Sequence, residues 1–360
     1  MLEKKETVEK RKISVGATTI LTILGIILTV AGIIFVLRIV GKNKLTTSIA
    51  DTVMAESLGE IDSSLQENQI LYKGQVYELN KDMITILVMG IDKETVTTIG
   101  GQSWDEEEAG HNAGGQADAL FLLLLNPHDK NIYIVAINRN TMVDVDVWDA
   151  DGNYMGVFIK QIALQHGYGE YGPDSAERQV KAVARLFHGI SIGSYAAITM
   201  DAIPELNDTV GGITVEVLDD ITYPEFDMDL HQGDTVTLYG EKAYWYLRLR
   251  NENVFGSNQL RQARQMQYLT TFIAQAKSQA VSDIRVAIEL YNTVQKYMVT
   301  NIDLSSFTYL ATECVGYNFN IDNMYSLQGE VLQGNNFEEF YVDEEALQDL
   351  IVELFYEPVE

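Results

Sequence analysis

Hydrophobic and polar positions fall into blocks along the chain. From Ile13 to Leu37 there are twenty-five positions without a charge. As a helix rising about 1.5 Å per residue, such a run exceeds a hydrocarbon core of roughly 30 Å, so the pattern predicts a membrane-spanning helix over residues 13–40. Thr46 to Asn80 is polar and acidic without strong periodicity, and predicts a stalk over 41–80, helical in part between Ile49 and Leu65. A folded domain is expected from Lys81 to Glu360. Within it, Met83–Met89 and Ala119–Leu125 are unbroken apolar runs of the kind expected for strands buried on both faces. Asn126–Asn131 carries Pro and Asp and should turn the chain into a third strand, Ile132–Ile137, while Tyr195–Met200 and Ile213–Val217 are two more β-rich runs. Helical spacing marks Ala176–His188, Asp201–Val210 with Asp201 as N-cap, Gly240–Leu247, Gln259–Lys277, Val281–Tyr297, Leu304–Cys314 and the acidic amphipathic stretch Glu344–Phe355. Strands mixed with helices predict an α/β fold: a three-layer α/β/α sandwich with a mixed central sheet, preceded by a single N-terminal transmembrane helix.

Charge adds a direction to this plan. Lys4, Lys5, Lys10, Arg11 and Lys12 stand ahead of the apolar run, and Arg38, Lys42 and Lys44 follow it. The bias places residues 1–12 in the cytoplasm as a short tail and the domain 81–360 outside the cell. A cleaved signal peptide fits less well, because its apolar region spans only about 7 to 15 residues. The chain carries 25 Lys plus Arg against 52 Asp plus Glu, a net charge of −27. That sign repels the phosphate backbone on which nucleic-acid affinity rests, so no nucleic acid is expected as a partner. The single cysteine, Cys314, excludes an intrachain disulfide, and the five histidines show no zinc-ligand spacing.

In so acidic a domain the few arginines carry information. Eight lie beyond residue 44, and four of these, Arg248, Arg250, Arg261 and Arg264, fall within seventeen residues. Arg248 and Arg250 alternate in Y-L-R-L-R and would share a face in extended backbone, while Arg261 and Arg264 lie three apart on one helical face. Guanidinium forks matched to oxyanions would explain the clustering; the competing reading is a set of surface ion pairs. Asp92 directly follows the first apolar strand and Asp118 immediately precedes the second. Two carboxylates on neighbouring strand ends could hold Mg²⁺ against phosphate oxygens, the alternative being caps and turns. Asn138-Arg139-Asn140-Thr141 would bring another arginine to the same edge, where ligands of open α/β sheets gather. Lys93–Gly115 is a long acidic loop nearby, read as solvated surface.

The succession G-I-D (Gly90 to Asp92), Q-A-D (Gln116 to Asp118), N-R-N-T (Asn138 to Thr141), Lys160, R-x-R (Arg248, Arg250) and R-x-x-R-Q (Arg261 to Gln265) resembles the LytR-CpsA-Psr family over roughly Ile84 to Lys277. The resemblance implies a membrane-anchored, Mg²⁺-dependent phosphotransferase that moves a glycopolymer from a polyprenyl pyrophosphate carrier to peptidoglycan. It implies that Asp92 and Asp118 serve the Mg²⁺ and that Arg139, Arg248, Arg250, Arg261 and Gln265 grip the pyrophosphate, with Lys160 a further phosphate contact. Catalysis would then rest on Asp92, Asp118, Arg139, Arg248 and Arg250, since phosphoryl transfer needs positioning and charge neutralisation more than covalent work. The implied partners are the polyprenyl pyrophosphate-linked glycan, the peptidoglycan acceptor and membrane lipid. Four segments depart from the family pattern. Gln116-Ala117 replaces Arg-Ser, Asn140 replaces the Asp of P-R-D, Gln161-Ile162 follows Lys160 where I-N is usual, and Asn258 stands where an acid is common. Each removes a charge or a hydrogen-bonding group, which keeps a second function in view: a non-catalytic envelope protein that binds lipid-linked or phosphorylated glycan as regulator or scaffold.

Overall fold

The structure is a computed structural model and describes residues 29, 31–46, 65–66, 68–92, 114–149, 151–170, 172–251, 254–335 and 337–359. The expected cytoplasmic tail, most of the expected membrane helix and most of the acidic loop 93–115 lie outside the described residues. A helix covers 31–46, and among the described residues no helix is long and apolar enough to cross a membrane.

Six strands form the central sheet, in the spatial order Met298–Thr300, Ser194–Thr199, Ile84–Ile91, Ala117–Asn126, Asn131–Ile137, Asn318–Ser326. Ile84–Ile91 runs parallel to Ser194–Thr199 and antiparallel to Ala117–Asn126, and Asn318–Ser326 runs parallel to Asn131–Ile137. The sheet is therefore mixed, as the sequence predicts. Its two middle strands are apolar at almost every position because helices cover both faces. On one face Leu87, Met89, Leu120, Leu122 and Leu124 join Ala182 and Val183 of helix Pro173–Leu186 and Leu347 and Ile351 of helix Glu344–Phe355. On the other, Phe121, Ile134 and Ala136 meet Met266, Leu269 and Ile273 of the long helix Ser257–Ser282. The alternate residues of one strand thus feed two cores, and the molecule has three layers.

Three features differ from expectation. The run at Ile213 forms a strand, Ile213–Glu216, but pairs with Thr235–Leu238 in a separate ribbon over a second core rather than extending the sheet. Asp201 precedes helix Ala202–Thr209 without a side-chain capping hydrogen bond, whereas Asp303 and Asp343 do cap theirs. Most of all, the expected stalk contains folded structure at both ends. Gln69–Tyr72 and Gln75–Leu79 form a hairpin whose two-residue turn, Lys73-Gly74, has positive φ at both positions, the geometry that matches strand twist. The C-terminal strand Tyr356–Pro358 adds to it, and Ile70 and Leu79 enter the main core.

At the other end, Leu45 is buried among Ile84, Ile86, Tyr309 and Tyr317, so the helix 31–46 docks on the domain. Arg38 pairs with Glu313 and Lys44 with Asp303. Gly41 permits the approach: a Cβ there would lie 2.1 Å from the Ser305 carbonyl oxygen of helix Leu304–Glu313. Gly41→Val is expected to lever the two helices apart, which hydrogen exchange would record as lost protection over 31–46 with the central sheet unchanged; equal protection in both proteins would refute the docking.

Candidate active site

The middle strands deliver their acids to one edge. Asp92 leaves strand Ile84–Ile91 just after a register shift at Gly90/Ile91, where the pairing with Ala117–Asn126 loosens. There Asp92 and Gln116 exchange bonds. The Asp92 N–H donates to the Gln116 carbonyl at 3.1 Å, and the Gln116 N–H donates to Asp92 Oδ1 at 2.7 Å. On the other side of Ala117–Asn126, Leu120 faces Ile137, a register that continues to Asp118 opposite Arg139. The two form an ion pair, both nearly buried, and Arg139 also donates to the Gln116 side-chain oxygen. N-R-N-T is a turn that aims this arginine. The Thr141 N–H and hydroxyl donate to the Asn138 carbonyl at 3.0 and 2.6 Å, and Asn138 Oδ1 accepts the Asn140 N–H at 2.9 Å, an Asx turn.

The long helix supplies the next arginine. Arg261, only 4% exposed, lies 3.5 Å from Asp118 Oδ2 and donates to Asn258 Oδ1 at 2.7 Å. Burial pushes its pKa down to about 10, with Arg139, Arg250 and Arg264 adding repulsion against the attraction of Asp118. Asp92 is shifted the other way for matching reasons. Burial and then the charge of Asp118 raise its pKa, opposed by the Gln116 N–H and by Arg139 and Arg248.

Arg264 and Gln265 do not face this cluster. Arg264 donates to the Tyr246 carbonyl at 2.8 Å and to the Leu249 carbonyl, with Asp219 3.2 Å away. Gln265, expected to touch pyrophosphate, donates instead to the Leu247 carbonyl at 3.2 Å. Together they satisfy carbonyls at the end of helix Glu241–Arg248 that have no partner within it, and so fix where R-L-R leaves the helix. The expectation that Arg248 and Arg250 alternate along a strand is corrected accordingly: Arg248 closes the helix and Leu249 is the extended residue after it. Arg248 donates to the Tyr244 hydroxyl one turn back, its guanidinium 5.4 Å from that ring's centroid. Its charge reaches Asp92, and the charge of Arg250 reaches Arg261.

Lys160 lies on the hairpin strand Tyr154–Gln161 opposite Val143, and no hydrogen bond or ion pair among the described residues joins it to the cluster. The remaining arginines serve ion pairs elsewhere: Arg178 with Asp174, Arg185 with Asp146, Arg285 with Asp283. Beside the cluster a cavity of about 500 Å³ is lined by Arg250, Ile221, Tyr223, Leu249, Val254 and Leu260, among others.

The cluster also fits a hard cation. Asp118 Oδ1 is buried against the Arg139 guanidinium, its ion-pair partner, without an aligned hydrogen bond, and Asp92 is close enough for the two carboxylates to repel. Two such oxygens, with substrate oxygens and water, are the donor set Mg²⁺ prefers. No group of three or more His, Cys, Asp or Glu suited to a metal occurs among the described residues.

Fold and site together define an α/β domain with a buried carboxylate–arginine centre at the ends of its middle strands. The chain belongs to the LytR_cpsA_psr family, whose model matches residues 46–355. It is 26% identical over 341 residues to a polyisoprenyl-teichoic acid–peptidoglycan teichoic acid transferase TagU of Oceanobacillus iheyensis, covering 92% of this chain and 91% of that one. The protein of the same name from Bacillus subtilis is 25% identical over 300 residues, 83% of this chain and 86% of that one. Among solved structures, B. subtilis TagV superposes with a TM-score of 0.55 at 23% identity, over 75% of this chain and 96% of that one, a likeness of fold.

Proposed function

We propose that the protein is a membrane-anchored phosphotransferase that moves a glycopolymer from a polyprenyl pyrophosphate carrier to peptidoglycan, with Mg²⁺ as cofactor. One observation carries the reading: in a chain of net charge −27, Arg139 and Arg261 both pair with Asp118, and among the described residues the charges of Arg248 and Arg250 reach this same centre at Asp92 and Arg261. A surplus of positive charge held in a partly buried pocket is what a pyrophosphate diester requires. Family membership and the names of the relatives agree with this. Asp92 and Asp118 would hold the Mg²⁺, which when bound neutralises charge developing on the phosphoryl oxygens. Arg139 orients the phosphate from the strand ends and Arg261 from the long helix, while Arg248 at the end of helix Glu241–Arg248 and Arg250 just beyond it close the other side. The cavity beside Arg250 has an apolar side, formed by Ile221, Tyr223, Leu249, Val254 and Leu260, that offers room for the lipid chain, and a polar side that includes Asp219 and Asp220. The uncharged run that ends at Leu37 would span the membrane with 1–12 inside the cell, and Arg38, paired with Glu313, would mark where the helix meets the domain and holds it beside its carrier.

The test uses the full chain in detergent, because the hairpin before Lys81 and the helix 31–46 are part of the fold. With a polyprenyl pyrophosphate glycan and peptidoglycan oligomers, transfer should require Mg²⁺ and fall at least about a hundredfold in Arg248→Ala, whose side chain lies on Tyr244 rather than in the core. Lipid binding without product in the wild type would favour the non-catalytic scaffold instead.

A further inference from the structure

We propose that Asn258 and Gln116 are positioning residues that aim Arg261 and Arg139 while leaving their charges for the bound phosphate, because both present amide rather than carboxylate oxygens. The inference rests on the pyrophosphate reading of the site. Asn258 is 3% exposed, and both ends of its amide are used. Its Oδ1 accepts from Arg261 Nη2 at 2.7 Å, and its Nδ2 donates to Asn138 Oδ1 at 2.9 Å. Asn138 Oδ1 already accepts the Asn140 N–H of the turn that carries Arg139. Asn258 therefore ties the long helix to that turn, and no carboxylate could do the same, since it lacks the donor that Asn138 needs. Gln116 plays the matching part for Arg139. Its side-chain oxygen accepts from Arg139, while its backbone N–H holds Asp92. Each guanidinium is thus gripped on one side by a neutral acceptor and shares the single charge of Asp118 on the other.

A carboxylate at either position would keep an acceptor in reach but cancel the charge. The measurement is isothermal titration of the full-length protein in detergent with inorganic pyrophosphate, alongside melting temperatures, for wild type, Asn258→Asp and Gln116→Glu. Affinity should fall about tenfold in each variant, the size expected when one charged partner in a shared anion site is neutralised. A purely structural role would reduce the fraction of competent protein and the melting temperature but leave the affinity of the folded protein unchanged. Should Asn258→Asp fail to fold, Gln116→Glu, which leaves the long helix untouched, decides alone. Variants that bind as tightly as wild type would overturn the inference while leaving the anion site standing. A wild type that binds no pyrophosphate would overturn the site reading itself, and the inference with it.

Discussion

Asp118→Asn is expected to abolish glycopolymer transfer, by about a thousandfold or more, and to destabilise the fold at the same time. Both effects come from one location. Asp118 stands between Arg139 and Arg261, its side chain 12% exposed, and it is the carboxylate that both guanidinium groups contact. Arg261 is buried, already held below its ordinary pKa by burial and by three neighbouring arginines. Without Asp118, that positive charge keeps only the neutral oxygen of Asn258. Removing one partner of a buried ion pair costs about 3 to 5 kcal/mol, because the remaining charge is left uncompensated. At roughly 2 to 4 °C per kcal/mol in a domain of this size, thermal melting should drop by about 6 °C or more. Gel filtration and circular dichroism at 20 °C would establish that the variant remains folded while the transfer assay reads zero. A variant that melts with the wild type would show that Arg261 does not depend on Asp118, and would remove the centre of the proposed site.

How much of this site the sequence discloses varies with the range of the contact that makes it. Asp92, Asp118 and Arg139 are legible because each sits at the end of an apolar run, and strands paired side by side must bring those ends together. Arg261 and Arg264 share a helical face, which spacing predicts, yet one meets Asp118 and the other meets carbonyls of another helix. Spacing assigns a direction along the helix but not the partner that waits there. The backbone at Arg248 and the contact of Gln265 differ from expectation for the same reason: the R-L-R segment is extended only beyond Arg248, and what decides that is a helix end held from a distance by Arg264 and Gln265. The amides at 116 and 258 read in sequence as missing charges, and in the structure as hydrogen-bond partners of Arg139 and Arg261. The hairpin at Gln69–Leu79 is hard to read from local pattern because its third strand lies at the far end of the chain, at Tyr356–Pro358, although Lys73-Gly74 between two runs holding Ile70, Tyr72 and Val76 is a usable turn signal.

Asp92→Asn is expected to behave oppositely in one respect: transfer falls by about a hundredfold or more, yet the metal-free protein becomes more stable at neutral pH. The sign follows from linkage. Burial and the charge of Asp118 raise the folded-state pKa of Asp92 above its value in the unfolded chain. Between the two values the folded protein keeps a proton that the unfolded one has released. Stability therefore declines as pH rises through that window, and the penalty is complete above the folded pKa. Holding a carboxylate at Asp92 thus works against folding once pH exceeds its unfolded value, and asparagine, which can still accept the Gln116 N–H, removes the penalty. Mg²⁺ should reverse the order, since an ion bound between the two carboxylates stabilises only the protein that has both. The check is a melting series at pH 7 with and without Mg²⁺. The variant should melt above the wild type in chelator, and the wild type should gain on adding Mg²⁺ where the variant does not. If Mg²⁺ shifted both equally, the metal would lie away from Asp92; if the variant melted lower in chelator, the carboxylate pair would not be the strained element of the apo site.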